Sequence, residues 1–361
     1  MKIGIIGLPR VGKTSLFKIL TRAKVEDRGY SNPREAHLGV ARVPDERLDK
    51  LATLYQPKKT VYATVEYADV AAIGQEALKE TAFLAALRNV DALIHVVRAF
   101  EDDAMPHVGP IDPLRDVKSV EFDLMVSDLA QVEKRLERLE KDLRKMRSAD
   151  LEKEDALLKR SKEALEAERP LRELDMTADE KKLIRGFQFL SQKPILYALN
   201  LPESPTLGED LILAPSRCKL EEVASRPNAG VTAFCGKVEA ELADMTDEEA
   251  GEFLSSYGLT ESGLRRLIRK SYELLGLISF FTVGQDECRA WTIPINSRAQ
   301  EAAGAIHSDL GKHFIRAETI HWDTLLAAGS EAAAKTNGTL RLEGKDYLVR
   351  DGDVMHIRHS G

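Results

Sequence analysis

Residues 7–15 read GLPRVGKTS and follow the apolar run KIGII at residues 2–6. That run is short and rich in β-branched residues, which predicts a buried strand. The next stretch, KTSLFKILTRA, consists of good helix formers with apolar residues at Leu16, Ile19 and Leu20, which predicts a helix. Between the two lies the pattern G-x-x-x-x-G-K-[ST], which in this strand–loop–helix context predicts a phosphate-binding loop.

The chemistry of a polyphosphate explains the residues of this loop. Successive backbone N–H groups converge on one point and the helix start adds positive potential, while glycine permits close approach and positive φ. We expect Lys13 to bridge the β- and γ-phosphates as a catalytic residue, and Thr14 to offer its hydroxyl to Mg²⁺. The predicted nucleotide contacts are Gly7, Leu8, Pro9, Arg10, Val11, Gly12, Lys13, Thr14 and Ser15.

The composition is that of an ordinary soluble chain of 361 residues, 43% hydrophobic and 31% charged. This length predicts two or three domains, because a single core rarely grows beyond about 250 residues. A net charge of -7 argues against nucleic-acid binding by the chain as a whole, although a local basic face could still bind RNA. No apolar run reaches the roughly 20 residues of a membrane span. The cysteines, Cys218, Cys235 and Cys288, lack C-x-x-C spacing and are expected to be free thiols in a reducing cytoplasm.

Further apolar runs at residues 64–72, 91–97, 194–200 and 231–235 read as strands, and residues 80–90 read as a helix. Strands that alternate with helices predict a parallel sheet with helices on both faces. Ligands of such sheets bind at the carboxyl ends of the strands. The sequence therefore predicts that Gly7, Asp69, Asn200 and Cys235 lie around one rim.

Two amphipathic runs, within residues 123–147 and 151–168, predict an antiparallel coiled-coil hairpin inserted between two strands of the sheet. Its mixed-charge face is either solvated or a partner surface. The strand-like runs after residue 278 predict a small α+β domain, and the polar residues 330–338 predict a loop within it. The predicted domains are residues 1–112 with 192–277 for nucleotide binding, 113–191 for the helical insertion and 278–361 for the last domain.

Several segments together resemble the YchF-type ATPases, a branch of the Obg-related GTPase class. They include GLPRVGKTSLF, GVARVPDERLDKLA, ATVEYADVA, VDALIHVVRAFED and YELLGLISFFT, so the resemblance covers nearly the whole chain. In the last domain, RAWTIP, AAGAIHSDLGKHFIRAE and LEGKDYLVRDGDVMH resemble the family's TGS domain. The resemblance implies an α/β fold: a P-loop NTPase parallel sheet domain with an inserted coiled-coil hairpin, plus a C-terminal β-grasp (TGS) domain.

The resemblance also implies roles for residues outside the loop. Asp69 matches the aspartate of the family's D-x-A-G, which touches Mg²⁺ through water. Asn200, Leu201 and Glu203 fall in the family's N-x-x-E, where GTPases carry N-K-x-D. Cys235 and Gly236 match the last loop that flanks the base. His107 lies in a segment that matches the family near the site, and either positions water or transfers a proton there, or is a plain loop residue.

The N-x-x-E element favours ATP over GTP. An aspartate at its last position accepts from both the N1–H and the 2-amino group of guanine, and adenine has neither donor there. Glu203 carries the carboxylate on a longer arm, which removes the match to guanine. ATP with Mg²⁺ is therefore the expected ligand, and GTP is the alternative.

Two positions depart from the family's pattern in the switch regions. Pro33 stands near the place of the switch threonine that ligates Mg²⁺, and Ala72 replaces the glycine of D-x-A-G.

The sequence leaves three functional hypotheses: a slow Mg²⁺-dependent ATPase that acts as a switch on the ribosome or in stress response, a nucleotide-binding scaffold whose hydrolysis has decayed, and a GTPase. We expect a cytoplasmic monomer that contacts the ribosome or RNA through the hairpin and the TGS domain, and no membrane.

Overall fold

The computed structural model describes residues 1–22, 37–70, 80–104, 109–146 and 148–360. It divides into two compact units. The first unit contains Met1–Val40 and Glu66–Lys270, and the second contains Ala41–Val65 and Ser271–Gly361. The predicted three-domain division is a finer one and stays a prediction.

Twelve strands are described. They are β1 Lys2–Ile6, β2 His37–Arg42, β3 Lys59–Val61, β4 Thr64–Asp69, β5 Ala92–Arg98, β6 Ile195–Asn200, β7 Ala229–Phe234, β8 Leu277–Thr282, β9 Glu287–Pro294, β10 Phe314–His321, β11 Arg341–Glu343 and β12 Asp353–His359.

Fifteen α-helices are described, together with short 3-10 helices at Leu171–Glu173 and Arg185–Phe187. They are α1 Lys13–Thr21, α2 Glu46–Tyr55, α3 Thr81–Arg88, α4 Pro113–Lys145, α5 Ala149–Glu166, α6 Ala178–Ile184, α7 Leu207–Arg217, α8 Glu221–Ala224, α9 Gly236–Leu242, α10 Asp247–Ser256, α11 Gly263–Leu274, α12 Ala299–Ile306, α13 Ser308–Lys312, α14 Trp322–Ala328 and α15 Glu331–Thr336. None of these helices is long and apolar enough to cross a membrane.

The first sheet has the strand order β2-β4-β1-β5-β6-β7. The pairs β1–β4, β1–β5, β5–β6 and β6–β7 are all parallel, which confirms the predicted parallel sheet. Every residue of β5 and β6 is buried, as expected for strands covered on both faces. The register pairs Arg98 with Asn200, so the ends of β5 and β6 lie side by side at the rim where β1 also ends.

The helical insertion forms the predicted hairpin. The Asp112 side chain accepts from the Arg115 N–H and so caps α4, and Ser148 caps α5 in the same way. The two helices pack through a cluster that includes Val132, Leu139 and Leu157. Across their interface Arg135 binds Glu154 with a shortest N–O distance of 2.7 Å.

Buried polar contacts join the hairpin to the sheet. Glu121 of α4 accepts from the guanidinium of Arg172 and from the hydroxyl of Tyr197, at 2.6 Å for the latter. The carboxylate of Asp128 accepts from the backbone N–H groups of Leu190 and Ser191 at 2.9 and 2.7 Å. Burial raises the pKa of Asp128 to about 6 although these hydrogen bonds oppose the shift. The base of the hairpin is therefore fixed to the strand β6 by directional contacts as well as by apolar packing.

The second unit has a mixed sheet in the order β11-β10-β12-β8-β9-β3. The first hairpin, β8–β9, is antiparallel, and β12 pairs in parallel with β8 and antiparallel with β10. Helix α12 follows β9 and packs into the same core through Ala299 and Ala302. This strand order is that of a β-grasp fold, as expected. The unit also takes α2 and β3 from residues 41–65, which the sequence did not predict.

One local prediction is wrong: residues 330–338 are not a loop. They contain α15, whose first turn is capped by the Ser330 hydroxyl accepting from the Ala333 N–H at 3.1 Å. The segment EAAAKT has strong helix propensity, and Gly338 with φ 69° follows the helix end. Propensity and capping outweighed the polar composition. The three cysteines are free, as predicted.

Candidate nucleotide-binding site

The loop between β1 and α1 requires its two glycines. Gly7 has φ 147°, and a Cβ there would lie 2.5 Å from the carbonyl oxygen of Val96. Gly12 has φ 99°, and a Cβ there would lie 2.7 Å from the side-chain nitrogen of Asn200. Positive φ and close contact both exclude larger residues. The predicted strand, loop and helix are therefore present, with the loop held against β5 and β6.

Lys13 lies at the start of α1 with its side chain turned under the loop. Its ammonium group donates to the carbonyl oxygen of Leu8 at 2.7 Å. Burial lowers the pKa of Lys13 to about 8, and the negative charge of Asp69 opposes this shift. Asp69 is fully buried at the end of β4, so the structure brings these two predicted site residues together. A partly desolvated cation interacts strongly with an anion that enters its surroundings.

His95 of β5 lies close to Gly7 and Lys13, and the sequence analysis did not identify it. A Cβ on Gly7 would lie 3.5 Å from its Cδ2 atom, and its ring is edge-on to Tyr197 at 6.0 Å between centroids. Neither ring nitrogen has a hydrogen-bond partner among the described residues. Burial, and then the charge of Lys13, lower the pKa of His95 to about 3, so the ring is neutral at physiological pH. A histidine inside an otherwise apolar strand was the available signal.

Arg98 is the second residue that the sequence analysis missed. It ends β5 and is 1% exposed. Its Nε donates to the carbonyl oxygen of Phe100 at 2.9 Å, and a guanidinium nitrogen reaches the carbonyl oxygen of Arg10 at 3.4 Å. The guanidinium carbon also lies 4.4 Å from the centroid of the Phe100 ring. Arg98 therefore supports the middle of the loop from the end of the neighbouring strand.

Asn200 joins three parts of the site. Its side-chain nitrogen donates to the carbonyl oxygen of Val11 at 3.1 Å, and its Oδ1 accepts from the backbone N–H of Gly236 at 3.0 Å. The residue is only 6% exposed. One amide thus fastens the loop after β1 to the start of α9, and the predicted site residues Val11, Asn200 and Gly236 are brought together.

Glu203 lies at the edge of this group, with its side chain about one-third exposed. One carboxylate oxygen accepts from the ammonium of Lys237, and the other accepts from the hydroxyl of Tyr257 at 2.8 Å. The hydrogen bond from Lys237, followed by that from Tyr257, lowers the pKa of Glu203. Both oxygens are therefore occupied by partners from the chain itself. Lys237 and Tyr257 could not be assigned to Glu203 from sequence.

The remaining predicted residues surround these contacts. Leu201 donates its backbone N–H to the carbonyl oxygen of Phe234 at 2.8 Å, and the buried Cys235 precedes α9. Thr14 is half-buried in the first turn of α1, whereas Pro9, Arg10 and Ser15 are exposed.

Helix α9 is fixed in turn by Glu239. This carboxylate accepts from the backbone N–H of Gly263 at 2.7 Å, where α11 begins. Burial raises the pKa of Glu239 to about 7, while the hydrogen bonds from Gly263 and Leu264 and the charge of Arg266 oppose the shift. Helix α9 begins at Gly236, directly after Cys235, and is therefore anchored at a second point.

Several predicted features lie outside the described residues. They are His107 and the switch positions Pro33 and Ala72. Their predicted roles stay predictions.

The donor set fits a magnesium ion. A hydroxyl at Thr14 and a buried carboxylate at Asp69 are hard oxygen ligands, and Mg²⁺ usually takes one or two protein oxygens together with substrate phosphates and waters. Among the described residues no group of three or more His, Cys, Asp and Glu side chains could hold a metal alone.

Family models match both parts of the chain. A model described as a 50S ribosome-binding GTPase matches residues 2–158. The YchF-GTPase_C model, described as a protein of unknown function, matches residues 277–360.

Curated relatives and a solved structure match over the full length. The "Ribosome-binding ATPase YchF" of Bacillus subtilis is 44% identical over 99% of this chain and 98% of its own length. The protein of the same name from Escherichia coli O157:H7 is 40% identical, over 99% of this chain and 98% of its own length. The structure of the Schizosaccharomyces pombe "YchF GTPase" superposes with a TM-score of 0.84 at 31% identity, and covers 99% of this chain and 97% of that one. With the fold and the loop geometry, these matches establish that the chain belongs to the YchF family.

Proposed function

We propose that this protein is a cytoplasmic, Mg²⁺-dependent, ATP-binding P-loop protein that hydrolyses ATP slowly and acts on the ribosome. The observation that carries the proposal is the cradle of residues 7–13, in which Lys13 lies buried beneath a loop that Asn200 fastens to the start of α9. A preformed loop of this kind binds a polyphosphate without first having to be ordered.

Separate groups of residues bind the phosphates, the magnesium ion and the base. The backbone N–H groups of the loop and the ammonium of Lys13 bind and neutralise the phosphates. Thr14 and Asp69 would hold Mg²⁺, which supplies charge neutralisation at the phosphates when it is bound. Asn200 and Gly236 fix the loops that flank the base. His107 lies outside the described residues, so its role in orienting the attacking water stays a prediction.

The contacts of Glu203 support adenine over guanine. Reading guanine takes both carboxylate oxygens, one for N1–H and one for the 2-amino group. Both oxygens of Glu203 accept hydrogen bonds from Lys237 and Tyr257. Guanine would have to compete with these two donors for the oxygens, whereas adenine makes no such demand.

The names of the relatives support the ribosome as the partner. Those from Bacillus subtilis and Escherichia coli carry the name "Ribosome-binding ATPase", and both align over nearly all of this chain. The helical hairpin and the β-grasp unit are the surfaces that we assign to this partner.

The decisive experiment measures ATP turnover by the purified protein with Mg²⁺. Wild type should hydrolyse ATP slowly, and Lys13→Ala should reduce turnover to background. Lys181→Ala, which removes an exposed lysine of α6 far along the chain, is the matched control and should behave as wild type. Background turnover in all three proteins together with tight ATP binding would instead support the nucleotide-binding scaffold.

Calorimetric titration with non-hydrolysable ATP and GTP analogues tests the choice of base. We expect the ATP analogue to bind more tightly to wild type. The pair Lys237→Met and Tyr257→Phe frees both oxygens of Glu203 and should narrow the difference. A clear preference of wild type for the GTP analogue would refute the argument from Glu203.

A further inference from the structure

Arg98, at the end of β5, is a buried cation without an acidic partner. Its side chain is 1% exposed, and it forms no ion pair within the part of the chain that the structure describes. Lys13, the other buried cation of the loop, has the negative charge of Asp69 in its surroundings. A buried charge is costly unless it is paired and hydrogen-bonded. The place of Arg98 beside the loop therefore points to a function that offsets this cost.

Two carbonyl groups in the middle of the loop face the ends of β5 and β6. A guanidinium nitrogen of Arg98 donates to the carbonyl oxygen of Arg10 at 3.4 Å. The side-chain nitrogen of Asn200 donates to the next carbonyl oxygen, that of Val11, at 3.1 Å. Arg98 and Asn200 occupy paired positions of the two strands. The two strand ends thus hold two successive peptide groups of the loop.

The direction of these carbonyl groups determines the direction of two N–H groups. In a planar trans peptide the C=O and the N–H point in opposite directions. The N–H of Val11 therefore points away from Arg98, and the N–H of Gly12 points away from Asn200. Both are directed to the side of the loop opposite the strand ends. Successive N–H groups arranged in this way form a concave site for an anion.

The backbone of Arg10 shows that this arrangement depends on contacts from outside the loop. Arg10 has φ 62°, in the left-handed region that is unfavourable for a residue with a Cβ. Such conformations persist where the surrounding structure enforces them, and they concentrate at ligand sites. Arg98 supplies one such contact through the carbonyl of Arg10. The guanidinium is itself held in place, because its Nε donates to the carbonyl oxygen of Phe100 at 2.9 Å.

We infer that Arg98 is a positioning residue, which turns the peptide between Arg10 and Val11 so that the N–H of Val11 binds a phosphate of the nucleotide. This role rests on the proposed function, which supplies the polyphosphate, and it extends that function to a residue outside the loop. Arginine fits the task because its rigid fork of donors reaches two carbonyl oxygens at once. Its charge also adds to the positive potential that an anion meets at the loop.

The first test compares wild type with Arg98→Met and with the control Arg160→Met. Replacing Arg98 by Met removes both hydrogen bonds and keeps most of the apolar length of the side chain. Arg160 of α5 also donates to a backbone carbonyl, that of Asp175 at 2.8 Å, so the control alters the net charge equally. Circular dichroism confirms that each protein is folded. Calorimetric titration measures the affinity for a non-hydrolysable ATP analogue with Mg²⁺.

We expect Arg98→Met to bind the analogue at least about tenfold more weakly than wild type, because a charge-assisted hydrogen bond that orients the loop is lost. Arg160→Met should bind it as wild type does. Equal affinity of wild type and Arg98→Met would overturn the inference and leave the proposed function standing. A wild type without affinity for the analogue would refute the proposed function, and this inference with it.

A second test observes the N–H of Val11 directly and gives a result even if Arg98→Met does not fold. Protein labelled with ¹⁵N-valine is studied by nuclear magnetic resonance, and the signal of Val11 is assigned by its loss in Val11→Ile. Saturating analogue should move the amide proton of Val11 downfield in wild type, and less in Arg98→Met. A bound wild type in which this signal does not move would overturn the inference. An undiminished shift in a weakly binding Arg98→Met would also overturn it, because Arg98 would then only stabilise the loop.

Discussion

Replacing Asn200 by Ala tests whether one side chain holds the nucleotide site together. The change leaves the carbonyl of Val11 and the N–H of Gly236 without their partner. An unpaired buried group costs about 1–3 kcal/mol, and the carbonyl of Val11 is the more deeply buried of the two. We expect the free energy of unfolding to fall by about 2–4 kcal/mol. The affinity for ATP should fall at least about tenfold, which is 1.4 kcal/mol, because the loop must then be ordered on binding.

The assay is urea unfolding followed by far-ultraviolet circular dichroism, together with calorimetric titration of an ATP analogue. Tryptophan fluorescence is unsuitable as the sole probe because Trp291 and Trp322 both belong to the second unit. Asn337→Ala, at an exposed helix end, is the matched control and should change neither quantity. A loss below about 1 kcal/mol with unchanged ATP affinity would refute the reasoning.

The isosteric change Asn200→Asp separates the two hydrogen bonds. A carboxylate can still accept from the N–H of Gly236, but it cannot donate to the carbonyl of Val11 and faces it with like charge. We expect Asn200→Asp to be at least as destabilising as Asn200→Ala at neutral pH. A variant as stable as wild type would show that the contact with Val11 contributes nothing.

Two further predictions concern buried carboxylates. Burial raises the pKa of Glu239 from 4.5 to about 7, so the native state binds more protons in that window and stability falls as pH rises through it. Glu239→Gln keeps an acceptor for the N–H of Gly263 and should remove the part of this decline that Glu239 causes, at most about 3 kcal/mol. The measurement is urea unfolding at several pH values, and a variant as pH-dependent as wild type would contradict the prediction. Glu121→Ala removes the acceptor that the guanidinium of Arg172 and the hydroxyl of Tyr197 share. The free energy of unfolding should fall by about 3–5 kcal/mol in the same assay. A loss below about 1 kcal/mol would mean that water enters and satisfies these two groups.

Much of the fold could be predicted because its signals are local. The glycine and lysine spacing of residues 7–14 defines the loop by steric and electrostatic needs that hold in any context. The strands β5 and β6 are mainly apolar runs, and α4 and α5 repeat apolar residues at helical spacing, so each element can be recognised from its own residues. The prediction of a loop at residues 330–338 was wrong because the small and polar composition was given more weight than the Ala-rich run with a Ser cap that forms α15.

The site was predictable in its residues but not in its contacts. That Asn200 and Gly236 belong to it follows from where their strands end. That Asn200 spans Val11 and Gly236, and that Glu203 is held by Lys237 and Tyr257, depends on side-chain directions after the strands are aligned.

The sequence by itself determined the phosphate loop, the separate strands of the first sheet and the helical hairpin, because each is encoded in residues close together along the chain. Only the tertiary structure decided that residues 41–65 join the second unit, where Lys59 pairs with Glu287 in a parallel ladder. It likewise decided that His95 and Arg98 support the loop. Pairings across such separations depend on strand register and on how buried polar groups are satisfied, and neither leaves a periodic mark in the sequence.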